Sequence, residues 1–215
     1  MTLALFGQCL TVGGLALLLF AELRPGAPAI FQWIFKPIAS LGFVLAGVGA
    51  GATETPYGRA LLAAFVLSLL GDVLLIPRGA KAAFLAGLVA FLLGHVGFAS
   101  AFVIRGVAWG GTAVALGLLG VPAFLVGRYF VQRAPEKLRV PVMAYVTVIT
   151  VMVALSIGTH LASPRALIPV AATLFYASDL FVARQRFVEP GSINRLVGLP
   201  LYYGAQLLFA LTIIR

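Results

Sequence analysis

The chain contains about eight apolar segments of roughly 16–24 residues, each long enough to cross the hydrocarbon core of a bilayer. Hydrophobic residues make up 62% of the chain and charged residues only 10%, which excludes a soluble globular domain. Backbone that crosses lipid must satisfy its own hydrogen bonds, and these segments lack the alternation of β-strands, so we expect helices. We predict an all-α integral membrane protein, a single polytopic domain over residues 1–215, with transmembrane helices near Leu3–Ala21, Phe31–Gly51, Gly58–Ile76, Ala82–Ile104, Trp109–Tyr129, Val140–His160, Ala166–Ala183 and Leu199–Ile214.

Lysine and arginine are distributed unevenly over the connections between these segments. One side holds Arg59, Arg105, Arg165 and Arg215. Cytoplasmic loops carry an excess of basic residues, so the opposite side is predicted to be cytoplasmic and both termini to lie outside. The net charge of +9 follows from this bias and from anionic lipid headgroups, and we expect no nucleic-acid partner. The cytoplasmic side holds the other eleven basic residues: Arg24, Lys36, Arg78, Lys81, Arg128, Arg133, Lys137, Arg139, Arg184, Arg186 and Arg195.

The composition also indicates in which membrane the protein lies. Arginine outnumbers lysine twelve to three, and alanine and glycine are abundant, as is typical of a GC-rich bacterial genome. We therefore expect a multi-pass protein of the bacterial cytoplasmic membrane.

Two aspartates, Asp72 and Asp179, are the only carboxylates inside the predicted helices. A charged side chain at the bilayer centre costs at least about 2.5 kcal/mol, so both are functional candidates. Each is predicted four to five residues before the cytoplasmic end of its helix, about 6–8 Å below the surface of the hydrocarbon core.

The two halves of the chain echo each other around these aspartates. Ser68-Leu-Leu-Gly-Asp72 resembles Tyr176-Ala-Ser-Asp179, and the two aspartates lie 107 residues apart, about half the chain. Lys36-Pro37 is matched by Arg139-Val-Pro141. The pattern suggests an internal duplication of four plus four helices, which would place the functional groups between the halves.

Polar residues from other helices are predicted at the depth of the aspartates. Lys36, Tyr145, Tyr202, Tyr203 and Gln206 all follow the cytoplasmic start of a predicted helix. His95 is predicted nearer the midplane. Such layering favours a water-accessible polar pocket in the cytoplasmic half of the bundle.

An ordered set of motifs resembles the YhhN-type lysoplasmalogenases. The resemblance extends from the second predicted helix to the eighth, and one position departs from it, because Phe98 stands where a tyrosine is expected. The motifs are Lys36-Pro37, Ser68-Leu-Leu-Gly-Asp72, Phe84-Leu-Ala-Gly87, Phe91-Leu-Leu-Gly-His95, Phe175-Tyr-Ala-Ser-Asp179 and Tyr202-Tyr-Gly-Ala-Gln206.

This resemblance implies hydrolysis of the sn-1 vinyl ether of a lysoplasmalogen, which yields a fatty aldehyde and glycerophosphoethanolamine or glycerophosphocholine. It also implies that no metal or organic cofactor is used. An enol ether hydrolyses by protonation of its β-carbon to an oxocarbenium ion, which water captures. The enzyme needs a protonated acid and an anion, and two carboxylates in a low-dielectric pocket can supply both. Asp72 and Asp179 are the predicted catalytic pair.

The predicted substrate-binding residues come from the same layer and motifs. Lys36, together with Arg78 and Lys81 of the neighbouring loop, suits the lipid phosphate. The apolar chain of the lipid would run along the helix faces. The full set is Lys36, Ser68, His95, Tyr145, Ser178, Tyr202, Tyr203 and Gln206.

Two alternatives use the same side chains. Asp72, His95 and Asp179 could form a metal site, although only two histidines are present and hydrolytic zinc sites within membranes usually hold several. A proton-coupled carrier of a small solute would also use intramembrane carboxylates. Carriers often have helices interrupted near the midplane, whereas Pro37, Pro141 and Pro200 are predicted in first turns, where proline is tolerated.

Overall fold

The computed structural model describes residues 1–24, 26, 28–77 and 79–214, and in this part of the chain it contains eight α-helices and no strand. The prediction of an all-α membrane bundle is confirmed. Seven of the helices are long and apolar enough to cross a membrane, and α8 is less apolar because it begins with several polar residues. The helices are α1 (Leu3–Leu23), α2 (Ile30–Gly49), α3 (Pro56–Leu74), α4 (Lys81–Arg105), α5 (Trp109–Val131), α6 (Glu136–Ala162), α7 (Leu167–Phe187) and α8 (Ser192–Leu211).

Two helices, α6 and α8, begin well before the residue that the apolar pattern predicts. The first turn of α6 contains Glu136, and α8 begins at Ser192, because charged and polar residues continue the helix beyond the apolar run. As a result Pro141 and Pro200 lie inside helices and not in first turns. Pro37 also lies inside its helix, α2, which begins at Ile30, so the prediction of first-turn prolines is corrected. Each of these prolines removes a backbone donor from its helix.

Consecutive helices pack as pairs, α1 with α2, α3 with α4, α5 with α6 and α7 with α8. Glycine permits the closest of these approaches. A Cβ atom on Gly7 would lie 2.4 Å from the backbone nitrogen of Ala46, and one on Gly42 would lie 2.5 Å from that of Thr11. The backbones of α1 and α2 therefore touch, as small residues permit between transmembrane helices.

A cluster of aromatic rings fills the centre of the bundle. Phe98 stacks on Phe209 with ring centroids 4.5 Å apart, and its ring also contacts Phe65 and Phe175. These four side chains are almost fully buried. The cluster continues to Tyr202, whose hydroxyl reaches the polar layer above it, so the rings close the inner end of that layer.

Candidate active site

A cavity of about 480 Å³ opens at the end of the bundle where α1, α3 and α7 end and α2 and α8 begin. Every helix contributes to its wall, and both Asp72 and Asp179 line it. Its size is that of a pocket for a small organic ligand. The remaining wall is mostly apolar, with Leu88 and Phe91 of α4 facing the same space as Val146 and Ile149 of α6.

Asp72 is held by three donor groups, which make four contacts, and it is almost completely buried. Lys36 Nζ lies 3.1 Å from Oδ1 and also donates to the backbone carbonyl of Asp72 at 3.0 Å. The hydroxyls of Ser40 and Tyr202 both donate to Oδ2 at 2.6 Å. All of these partners donate, so they match the acceptor oxygens of a carboxylate.

A short relay extends from Asp72 into the core. Ser40 gives its only hydroxyl hydrogen to Asp72, so Tyr203, 3.1 Å away, donates to Ser40 Oγ. The Tyr203 hydroxyl also lies 3.4 Å from the carbonyl of Lys36. Tyr203 is fully buried and does not line the cavity. It therefore orients the partners of Asp72 from behind.

Asp179 has a different environment, built from α4 and α6. Tyr145 donates its hydroxyl to Oδ2 at 3.2 Å, and His95 Nε2 lies 3.1 Å from the same oxygen, away from the axis of a straight hydrogen bond. His95 Nδ1 is 2.7 Å from the carbonyl of Phe91, which can only accept, so Nδ1 carries a hydrogen. In the neutral ring Nε2 then carries no hydrogen, so it is an acceptor that faces the carboxyl group of Asp179.

Each aspartate is bound by one helix of its own half of the chain and by one helix of the other half. Asp72 on α3 is bound by residues of α2 and α8, and Asp179 on α7 by residues of α6 and α4. His95 follows Asp72 by the same number of residues as Tyr202 follows Asp179. His95 in the first half therefore corresponds to Tyr202 in the second half. Asp72 contacts Tyr202 and Asp179 contacts His95, so the two contacts are equivalent. This arrangement fits the internal duplication that the sequence suggests.

The remaining predicted site residues divide between the cavity and the core. Ser178 lines the cavity beside Asp179. Ser68 and Gln206 are fully buried outside the lining, and their side-chain polar atoms have no hydrogen-bond partner within the described residues. Phe98 belongs to the aromatic core and does not line the cavity.

One basic residue predicted to meet a phosphate, Lys81, is not brought into the cavity. Lys81 begins α4 at an exposed position outside the cavity lining, and Arg78 lies outside the described residues. Lys36 does line the cavity, but its ammonium group is taken up by Asp72.

Sequence reasoning missed Ser40 beside Asp72 and several polar residues that line the cavity. Ser40 resembles any small residue of a packed helix, and the only signal was its position one turn after Lys36 on the same face of α2. Glu22, Gln32 and Arg195 line the cavity nearer its mouth. They fall at helix ends, where polar residues are ordinary in a membrane protein.

A metal site at Asp72, His95 and Asp179 would require these side chains to lie close together. Within the described residues, no three or more His, Cys, Asp or Glu side chains form a group that could hold a metal ion. Asp72 and Asp179 are each saturated or paired by other residues, as described above.

Comparison with known proteins supports the family resemblance that these motifs indicate. The sequence model of the YhhN family matches residues 31–213. Proteins named lysoplasmalogenase from Mycobacterium bovis and Mycobacterium tuberculosis are each 31% identical over 205 residues, which cover 92% of this chain and 74% of the relative. No solved structure matches. The family match includes α2 to α8 and every residue that contacts Asp72 or Asp179, and the chain belongs to the YhhN family.

Proposed function

We propose that this protein hydrolyses the sn-1 vinyl ether of a lysoplasmalogen, releasing a fatty aldehyde and a glycerophospholipid headgroup. The names of the two mycobacterial relatives support the activity. One structural observation carries the mechanism, which is that two carboxylates of opposite character line one cavity. Lys36 pairs with Asp72, which suits an anion, and His95 Nε2 lies 3.1 Å from Asp179 Oδ2, which suits a protonated carboxyl group.

Asp179 is the proton donor in this mechanism. Both of its contacts fall on Oδ2, and no hydrogen bond to Oδ1 is found in the described part of the chain. A proton carried by this carboxyl can be passed to the β-carbon of the vinyl ether, which gives an oxocarbenium ion at the carbon bound to oxygen. When the proton is not on Asp179 it is on His95, so the pair retains the proton that the reaction needs.

Asp72 stabilises the cation that this protonation creates. Its negative charge is fixed by Lys36, Ser40 and Tyr202 before the substrate binds, so no reorganisation is needed as charge develops. The same pairing of an acid with an anion operates around the oxocarbenium-like state of glycosidases.

Water then completes the reaction. A water molecule adds to the oxocarbenium carbon and gives one proton to the carboxylate of Asp179, which restores the acid. The product is a hemiacetal, whose hydroxyl proton moves to the glycerol oxygen as the carbon–oxygen bond breaks. The aldehyde and the glycerophospho-alcohol leave, and the protein is unchanged.

The shape of the cavity fits a single-chain lipid. Its apolar wall, formed by Leu88, Phe91, Val146 and Ile149, suits the hydrocarbon chain of the alkenyl group. The open end lies on the side of the basic connections, so we place the active site in the cytoplasmic half of the bacterial inner membrane. Ser178 and Tyr145 would contact the substrate next to Asp179, whereas Ser68, Tyr203 and Gln206 support the site from the core.

The test is aldehyde release from 1-alkenyl-lysophosphatidylethanolamine by the purified protein in detergent. Wild-type protein should release aldehyde, and Asp72→Asn and Asp179→Asn should each lower kcat at least about a hundredfold. Glu54→Gln, in an exposed loop at the other end of the bundle, should behave as wild type. Activity that survives both aspartate substitutions would contradict the mechanism. A folded wild-type protein that releases no aldehyde would favour the proton-coupled carrier.

A further inference from the structure

A second polar cluster lines the cavity nearer its mouth, away from the two aspartates. Glu22, in the last turn of α1, is 2.8 Å from Arg195 Nε through Oε2. Its Oε1 accepts from Gln32 Nε2 at 2.9 Å. All three residues line the cavity, and only 9% of the Glu22 side chain is exposed.

The position of Glu22 is unfavourable by the rules of helix stability. The C-terminal end of a helix carries partial negative charge, which repels a carboxylate. No basic residue lies in the last turn of α1 to offset it. The compensation comes from Arg195 of α8, across the cavity wall. A glutamate and an arginine are therefore held at the mouth, with their charged groups side by side.

The spacing between this cluster and Asp72 is set by two helices. On α2, Gln32 contacts Glu22 and Lys36 contacts Asp72, and these two residues are one turn apart, about 6 Å. On α8, Arg195 contacts Glu22 and Tyr202 contacts Asp72. Both residues line the cavity, and they are two turns apart. These offsets, about 6 Å along α2 and about 10 Å along α8, are of the order of the distance from the vinyl ether to the phosphate of the lipid.

We propose that Glu22 and Arg195 form the headgroup subsite, which recognises the zwitterion of a phosphoethanolamine. Arg195 would bind the phosphate, and Glu22 would accept hydrogen bonds from the primary ammonium. Each charge of the ligand meets the opposite charge of the pair, so the site stays neutral when occupied. The glycerol then reaches inward and places the vinyl ether at Asp72 and Asp179. The inference rests on the proposed function and adds the class of headgroup to it.

This geometry discriminates between the two common headgroups. A primary ammonium donates hydrogen bonds to a carboxylate, whereas the trimethylammonium of choline has no hydrogen to donate. A hydrogen bond to a charged group corresponds to about ten- to a hundredfold in affinity. The wild-type protein should prefer the ethanolamine lipid by about that factor.

The experiment compares kcat/KM for 1-alkenyl-lysophosphatidylethanolamine and 1-alkenyl-lysophosphatidylcholine in the same detergent. Glu22→Gln keeps the shape of the side chain and removes its charge, and it should lower the ethanolamine-to-choline ratio by about tenfold. Arg195→Gln should raise KM for both lipids. Glu189→Gln removes an exposed ion pair with Arg184 outside the cavity and should leave the ratio unchanged.

A binding measurement separates this inference from the reaction. Glycerophosphoethanolamine should raise the Tm of the wild-type protein more than glycerophosphocholine does, and Glu22→Gln should abolish the difference. That result would support the headgroup subsite even if no aldehyde were released. A Glu22→Gln protein that is less stable but retains the wild-type ratio and the wild-type difference in binding would overturn the inference, because Glu22 would then only tie α1 to α8.

Discussion

His95 Nε2 lies 3.1 Å from Asp179 Oδ2, although the two residues come from opposite halves of the chain. The other ring nitrogen of His95 is committed to the carbonyl of Phe91. The imidazole can therefore neither rotate away nor donate to Asp179 without taking up a second proton. This fixed orientation is what makes Asp179, and not Asp72, the acid of the proposed reaction.

The first prediction concerns His95. The substitution His95→Gln should lower kcat about a hundredfold, because Asp179 loses the partner that shares its proton, whereas KM should change little. Aldehyde release under saturating lipid measures the effect. His160→Gln is the matched control, since His160 only accepts a hydrogen bond from the backbone of Arg165 near the far end of the bundle. Equal losses in both variants would show that His95 acts only in packing.

The second prediction concerns the transfer of a proton to the β-carbon of the vinyl ether. If protonation of carbon precedes the attack of water, hydrolysis in D₂O should be slower than in H₂O. The released aldehyde should carry a single deuterium on the carbon next to its carbonyl, as mass spectrometry of a trapped product would show. An unlabelled aldehyde, measured before exchange with solvent, would mean that the vinyl ether is opened by another route.

The third prediction uses two neighbouring tyrosines as a matched pair. Tyr202 donates directly to Asp72, whereas Tyr203 reaches it only through Ser40. Tyr202→Phe should lower kcat by about tenfold or more, because a hydrogen bond to a charged group is worth about 1.5–3 kcal/mol. Tyr203→Phe should have a smaller effect. The reverse order of kcat values would contradict the role given to the carboxylate of Asp72.

That the two aspartates lie at one end of the bundle could be predicted from the sequence, and both line one cavity. Their distance from the helix ends and their partners could not, since α3 ends at Leu74, just after Asp72, whereas α7 continues through polar residues to Phe187. Partner choice depends on how each helix is rotated, which is set by close contacts such as those of Gly42. Ser40 and Glu22 were missed for this reason, since nothing local distinguishes them from packing or headgroup residues.

The fourth prediction separates the stability of the Lys36–Asp72 pair from its chemistry. Asp72→Asn leaves the largely buried ammonium of Lys36 without a counter-charge, and the unfolding free energy should fall by about 2–3 kcal/mol. The double variant Lys36→Met with Asp72→Asn removes both charges and should recover most of that loss without regaining activity. Thermal unfolding in detergent and aldehyde release measure the two effects. A double variant that is less stable than Asp72→Asn alone would contradict this account.

The last prediction tests the close packing of α1 on α2, which positions Lys36 and Ser40. Gly7→Ala should destabilise the protein by about 1–3 kcal/mol, because the new Cβ would lie 2.4 Å from the backbone of Ala46. Gly13→Ala on the same helix meets nothing within 4 Å, so alanine should there be neutral or stabilise by up to about 1 kcal/mol. The Tm should therefore fall for Gly7→Ala and should stay the same or rise for Gly13→Ala. Because Lys36 is carried by α2, Gly7→Ala should also lower kcat, while Gly13→Ala should not, and equal behaviour of the two variants would show that α1 does not position the site.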